Sequence, residues 1–248
     1  MIPRVLTIAG SDSSGGAGIQ ADIKTITMLG GYAMSAITAQ NTLGVTAVEV
    51  LSSELVVAQI EACASDIGVN AVKIGMLGSA ANAHAVADLL EGVNVPVVFD
   101  PVMVATSGSS LADADTIAAF ERLMAIAMLT TPNVAELAAL GGDEAMAVRG
   151  VAYLAKGGDA EGPEIADRLV VPGSDAVIWR SARIDTRHTH GTGCTLASAI
   201  AIQLGRGLPL VEAIADAREF VRAALLAAPG FGAGHGPLGH ASVAQSSS

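Results

Sequence analysis

Residues 4–22 read Arg4-Val-Leu-Thr-Ile-Ala-Gly-Ser-Asp-Ser-Ser-Gly-Gly-Ala-Gly-Ile-Gln-Ala-Asp22. The short apolar run from Arg4 to Ala9 is read as a strand. Gly10 to Gly18 is a glycine-dense loop, and a helix opens directly after it, where free amides can bind a polar or anionic ligand. The loop lacks the lysine of a P-loop and fails the G-x-G-x-x-G spacing, so neither common nucleotide fingerprint applies. Asp12 and Asp22 place acceptors in and just beyond the loop, although Asp22 reads equally as a solvated first-turn carboxylate. A strand, a glycine turn and a helix in that order open an α/β fold.

The alternation continues along the chain. Ala71 to Ile74, Val95 to Phe99, Met128 to Thr131 and Val151 to Ala155 read as further strands. Ser53 with Val56, Val57, Ile60, Ala64 and Ile67 fits an amphipathic helix, and Asp113 with Ile117, Phe120, Leu123, Met124 and Ala127 fits another. Continuous apolar strands predict a mainly parallel sheet with helices on both faces, and its ligands belong at the strands' carboxyl ends. Tyr32 to Thr42 and Val45 to Leu51 break the rhythm. They are joined by Leu43 and Gly44 with no helix between, and they predict a hairpin outside the main sheet. Residues 1–228 are expected to form one domain, and residues 229–248, rich in Gly and Ser, a tail with little regular structure.

With 248 residues, 51% of them hydrophobic, the chain can bury a full core. Its 13 basic and 24 acidic residues give a net charge of −11, which repels nucleic acid and anionic membrane surfaces. The uncharged run from Thr25 to Val48 carries Gly30, Gly31, Gln40 and Asn41, too polar for a membrane-spanning helix. The N-terminus has no signal-peptide pattern. Cys63 and Cys194 are too few for a metal quartet or a disulfide framework, so a cytoplasmic protein is expected.

Four further motifs follow, three of them at predicted strand ends. His190-Gly-Thr-Gly-Cys-Thr-Leu-Ala-Ser-Ala199 runs from a polar loop into a long helix. Gly191 and Gly193 leave amides uncovered there, suited to a group that gathers negative charge. Cys194 sits at the positive end of that helix, which favours thiolate. Cys63, amid Ala and Ile on a helix, reads as a core thiol. In Thr131-Pro-Asn-Val-Ala-Glu136, Asn133 and Glu136 lie three apart and face the same way, able to orient a magnesium ion or its waters, or simply to cap a helix. Asp100-Pro101 and Lys156-Gly157-Gly158 close two more strands at the same sheet edge.

In this order the motifs resemble the hydroxymethylpyrimidine and phosphomethylpyrimidine kinases of thiamine biosynthesis, a branch of the ribokinase superfamily. The likeness rests on residues 9–22, Thr38-Ala-Gln-Asn-Thr42, Val72-Lys-Ile-Gly-Met-Leu77, Asp100-Pro-Val-Met-Val-Ala105, Thr131-Pro-Asn133 with Glu136, Lys156-Gly-Gly158, His190 to Thr195 and Gly234-His-Gly-Pro-Leu238. It implies a ribokinase-like three-layer sandwich with a small β lid, and a kinase that uses ATP and Mg²⁺ to phosphorylate a hydroxymethylpyrimidine and then its phosphate. It further implies that the pyrimidine touches Gly10, Ala17, Asp22, Gln40, Met76 and Val104, with Gln40 reading the aminopyrimidine edge. Asn133 and Glu136 then fall on the magnesium and phosphate motif, Asp100 on a carboxylate behind it, and Lys156, Gly158 and Thr192 beside the nucleotide. Gly191, Gly193 and Cys194 fall on the anion hole and on the place where most ribokinase relatives carry an aspartate base. A homodimer is implied, with the hairpin as lid or dimer face.

Two departures stand out: Thr106 replaces the usual lysine, and the segment between Glu136 and Lys156 is short, which predicts a clipped helix. A pyridoxal kinase and a catalytically silent pyrimidine sensor are the alternatives. A cysteine hydrolase fails for want of a base, since His190 need not reach Cys194.

Overall fold

In a computed structural model, which describes residues 1–42, 46–104, 108 and 111–243, the opening strand β1 spans Arg4–Asp12. It outlasts its apolar run because Ser11 and Asp12 continue pairing after a register shift between Ala9 and Ser11. Helix α1 (Gly18–Met28) follows, then β2 (Tyr32–Asn41) and β3 (Val48–Val50). Next come α2 (Ser53–Asp66), β4 (Ala71–Ile74), α3 (Ala80–Leu90), β5 (Val97–Phe99) and α4 (Ala114–Ile126). The second half holds β6 (Leu129–Thr130), α5 (Val134–Ala139), α6 (Gly142–Arg149), β7 (Tyr153–Ala155), β8 (Glu164–Val170) and β9 (Val177–Ala182). Two long helices, α7 (Thr192–Gly205) and α8 (Leu210–Leu226), precede a 3₁₀ turn at His240–Ser242.

The strands form one sheet in the order β3-β2-β1-β4-β5-β6-β7-β8-β9. From β2 through β7 neighbours run parallel, while β3, β8 and β9 pair antiparallel. Val56, Ile60, Val86, Leu90, Phe120, Leu123 and Met146 pack α2, α3, α4 and α6 on one face. Ile26, Leu196, Ile200, Ile214 and Phe220 pack α1, α7 and α8 on the other. Cys63 packs against the first of these clusters, as a core thiol would. The path leaves β1 toward β2 on one side and β4 toward β5 on the other. That reversal opens a crevice at the carboxyl ends of β1 and β4.

The structure corrects two expectations. The Tyr32–Leu51 pair of strands is not outside the sheet: β2 pairs with β1 from Arg4↔Tyr32 to Asp12↔Asn41 and buries Met34, Ala36 and Thr38. No helix intervenes because β3 pairs antiparallel with β2, while the almost wholly buried β1 requires a partner on that edge. The turn residues Leu43 and Gly44, and Thr106, lie outside the described residues. Residues 229–243 hold little regular structure, as expected, but they are bound into the fold and not a free tail. Gly239 N–H donates to the Ala224 carbonyl at 2.9 Å, His190 N–H to the Gly236 carbonyl at 3.1 Å, and Leu238 and His240 are buried. Between Glu136 and Lys156 the chain makes two short helices, α5 and α6. Among the described residues no helix is long and apolar enough to cross a membrane.

Candidate active site

The crevice is shaped first by Asp12. Its Oδ1 accepts Ser14 N–H at 2.9 Å, and its Oδ2 accepts Ser14 Oγ at 2.6 Å and Ala17 N–H at 3.0 Å and meets His190 Nε2 at 2.8 Å. Burial alone would raise this carboxyl, but the His190, Ser14 and Ala17 bonds outweigh it and hold it below the ordinary carboxylate range. Asp12 therefore has little left to offer a ligand; it folds the loop and ties it to the second glycine motif. A side chain at Gly191 would overlap the Gly16 carbonyl, so only glycine lets the two loops touch. His190 is turned to Asp12, which removes the base a cysteine hydrolase would need.

Beneath the loops lies Asp22, expected to touch substrate. Its side chain and that of Lys73 are 0% exposed, and they pair at 2.9 Å. Thr7 Oγ1 donates to the same carboxylate oxygen as Lys73, and Ser198 Oγ to the other at 2.7 Å. With both oxygens engaged from β1, β4 and α7, Asp22 is a buried tie between layers, neither substrate contact nor solvated carboxylate. Gln40 also departs from expectation. Strand alternation turns it outward, and it is exposed, whereas its neighbour Asn41 lines the crevice. Asn41 Nδ2 faces Met76 Sδ at 3.2 Å, and its buried Oδ1 has no partner. Gly10, Ala17, Met76 and Val104 line the same end of the crevice.

At the other end, Lys156 stands between two buried carboxylates, its Nζ 2.7 Å from Asp100 Oδ1 and 3.7 Å from Glu136 Oε2. Thr131 Oγ1 donates to Asp100 at 2.9 Å. Asn133 and Glu136 form a reciprocal capping box, each side chain accepting the other's N–H at 2.8 Å. Burial pushes both carboxyls up. Lys156, Lys73 and Thr131 reverse this for Asp100 and hold it low, while Glu136, opposed chiefly by Lys156 and pushed further by Asp100, stays raised.

Helix α7 starts at this spot. Gly191 is its left-handed cap at φ 90°, without a side-chain cap or an acidic residue in the first turn. A Cβ on Gly193 would lie 3.3 Å from Lys156 Nζ and 3.6 Å from Asp100 Oδ2. The glycine start of the helix thus lies within a few ångströms of a lysine and a carboxylate. Cys194 departs from expectation too. Desolvation pushes its thiol up to about 11, with Asp22 and Asp100 adding to the rise and Lys73 opposing it, so burial defeats the helix-end effect. Thr192, Asn133, Lys156 and Gly158 line the crevice here with Gly193 and Cys194. Lys73, Asn41 and the His190–Asp12 bond had no role in the sequence reading; a lone lysine inside the apolar strand Ala71–Ile74 was the available signal for the first.

A parallel sheet with a cleft at its switch point, an open helix start and a lysine-bridged carboxylate pair define a small-molecule kinase of the ribokinase-like class. Residues 12–239 match the family described as phosphomethylpyrimidine kinase, and the chain belongs to that family. It is 48% identical over 255 residues to the hydroxymethylpyrimidine/phosphomethylpyrimidine kinase of Rhizobium meliloti (strain 1021), covering 95% of this chain and 96% of that one. With the Streptomyces coelicolor enzyme of the same description it shares 44% identity, covering 96% and 94%. Among solved structures, Bacillus subtilis pyridoxal kinase in its ADP complex superposes with a TM-score of 0.89 at 32% identity, over 97% of this chain and 98% of that one. Phosphomethylpyrimidine kinase from Clostridium difficile 630 does so with 0.74 at 35% identity, over 89% and 98%.

Proposed function

We propose that this kinase moves the γ-phosphoryl group of ATP onto the hydroxymethyl of 4-amino-5-hydroxymethyl-2-methylpyrimidine and then onto the resulting monophosphate, in thiamine biosynthesis. The observation that carries the reading is Gly193 against Lys156 and Asp100, because it sets uncovered amides where phosphate oxygens gather charge.

The acceptor's place is the part of the crevice lined by Gly10, Ala17, Met76 and Val104, with Asn41 at the end of β2 to meet its amine. Its hydroxyl oxygen forms the new P–O bond while the bond to the departing ADP breaks. The hydroxyl proton leaves late, to water or a phosphate oxygen. With its thiol up at about 11, Cys194 is protonated at neutral pH, so it positions the acceptor while the amides of Gly191, Gly193 and Cys194 and the Lys156 ammonium take the charge. In the second turnover the monophosphate's own oxygen attacks, and the same amides serve it.

Magnesium fits the donor set. Asp100 and Glu136 are two carboxylates on one ammonium, and no group of three or more ligating side chains occurs among the described residues. That matches an ion held by one or two carboxylates, substrate phosphates and water. When bound, it neutralises triphosphate charge. Exposed Tyr32, Val48 and Val50 on the sheet edge support a homodimer; a monomer by light scattering at micromolar concentration would contradict it. Cytoplasmic residence follows from the substrates.

Phosphorus NMR of a mixture of hydroxymethylpyrimidine and MgATP tests the function. A monoester signal followed by a diphosphate is expected, and unchanged ATP would overturn it. The close superposition on a pyridoxal kinase favours pyridoxal as a second acceptor, and ATP consumption with each alcohol separates the two.

A further inference from the structure

The loop that carries Lys156 is held from beneath by groups with no role so far. Asp167 on β8 and Arg218 on α8 are 7% and 8% exposed. Asp167 Oδ1 accepts the Gly157 N–H at 2.9 Å, and its Oδ2 accepts Arg218 Nε at 2.7 Å. Arg218 also donates from Nη2 to Ser181 Oγ on β9 at 3.3 Å, and its guanidinium lies 5.9 Å from the Trp179 ring centre. The loop cannot lift from this support without loss. A Cβ at Gly157 would overlap the Ala166 carbonyl, so the Gly157 backbone rests directly on β8. On its other side Lys156 N–H donates to the Pro132 carbonyl at 2.9 Å, and its ammonium reaches Asp100 and Glu136.

A short loop between two strands could sit in several positions. This one is fixed by a carboxylate that has already lost most of its hydration and is itself fixed by a forked cation from a helix. Asp167, Ser181, Arg218, Lys156 and Gly158 all line the crevice. Hydration of Asp167 is replaced by one amide and one guanidinium, an arrangement that is stable only when both are present.

We propose that Asp167 and Arg218 are positioning residues for the nucleotide: their buried pair grips the Gly157 amide and thereby sets Lys156 and Gly158 against the triphosphate. The proposal rests on the kinase reading above. It predicts an effect on the nucleotide alone, because the acceptor end touches neither residue.

The test varies ATP and acceptor separately in steady-state kinetics, with ADP binding by calorimetry and thermal unfolding on the same samples. Asp167→Ala removes the amide's acceptor and should raise the KM for ATP and the Kd for ADP about 10- to 100-fold, with the acceptor KM changed by less than about twofold. Asp167→Asn keeps an oxygen for Gly157, and Arg218→Lys keeps the cation, so both should fold and give a smaller rise, about threefold to tenfold, in the same two constants. If Asp167→Ala does not fold, these two decide. Unchanged KM for ATP and Kd for ADP in both, or equal rises in both substrates' KM, would overturn the proposal. Wild-type protein that binds no ADP would sink the kinase reading instead, a different result.

Discussion

Two lysine and carboxylate clusters lie within one crevice wall of each other, and they differ in how completely they are satisfied. Lys73 and Asp22 are sealed, one cation to one anion, with Thr7 and Ser198 taking the remaining carboxylate positions. Lys156 faces two anions, Asp100 and Glu136, and keeps 13% of its side chain exposed at the cleft. The sealed pair has nothing left to give, so it serves the fold. The open cluster sets two carboxylates against one ammonium in a buried place, and a cation completes it. The contrast separates scaffold from chemistry where residue type does not.

The comparison breaks most easily at the lysines. Lys156→Met should lower kcat by about 10³-fold, the scale of losing a main electrostatic donor, with a smaller loss of stability than at Lys73 because this cluster opens to the cleft. Lys73→Met leaves Asp22 buried and unpaired and should cost about 3–5 kcal/mol of stability by denaturant unfolding, with kcat per folded molecule nearly kept. Interchanged results would dissolve the distinction.

A smaller effect sharpens it. Cys194→Ala should lower kcat by about tenfold with little change in KM, because a protonated thiol adds less than a positioned base. In a Cys63→Ala background, alkylation of Cys194 should be slow at pH 8 and still climbing above pH 10, since burial favours the neutral thiol. A plateau near pH 8 would restore the thiolate.

The smallest concerns a third sealed group. His240 sits under the start of α7, its Nε2 2.8 Å from Thr195 Oγ1, while Thr195 donates to the Gly191 carbonyl at 2.8 Å. Burial, with Lys24 adding to it, lowers this imidazole to about 4. Because the folded protein resists the proton that the unfolded chain accepts, stability should fall as pH drops from about 6.5 to about 4, by at most about 3 kcal/mol. His240→Gln keeps a donor to Thr195 and should flatten that slope in urea titrations; an unchanged slope would place the titrating group elsewhere.

Much of this was legible in the residues. Short apolar runs marked β1, β4, β5, β6 and β7, and helical period from Ser53 and Asp113 marked α2 and α4, whose caps prove to be Ser52 and Asp113, because period and capping are local properties. The antiparallel strands β8 and β9 were not legible: β8 carries Glu164, Asp167 and Arg168, whose partners lie far off in sequence. Motif order brought Asn133, Glu136, Lys156 and Gly193 to one sheet edge. What it could not give was depth. Asp22 stands beside the loop in sequence yet beneath it in space, and Cys194 lies at a helix start that is also desolvated. Both errors came from assigning solvent to groups that tertiary packing had dried.

The central claim is that phosphate in flight sits at the start of α7 beside Lys156. A crystal structure with ADP, magnesium and aluminium fluoride tests it most directly. The account predicts fluoride within hydrogen-bond distance of the amides of residues 191–194 and of Lys156 Nζ; fluoride seated instead on the loop of residues 12–18, with α7 uncontacted, would contradict it.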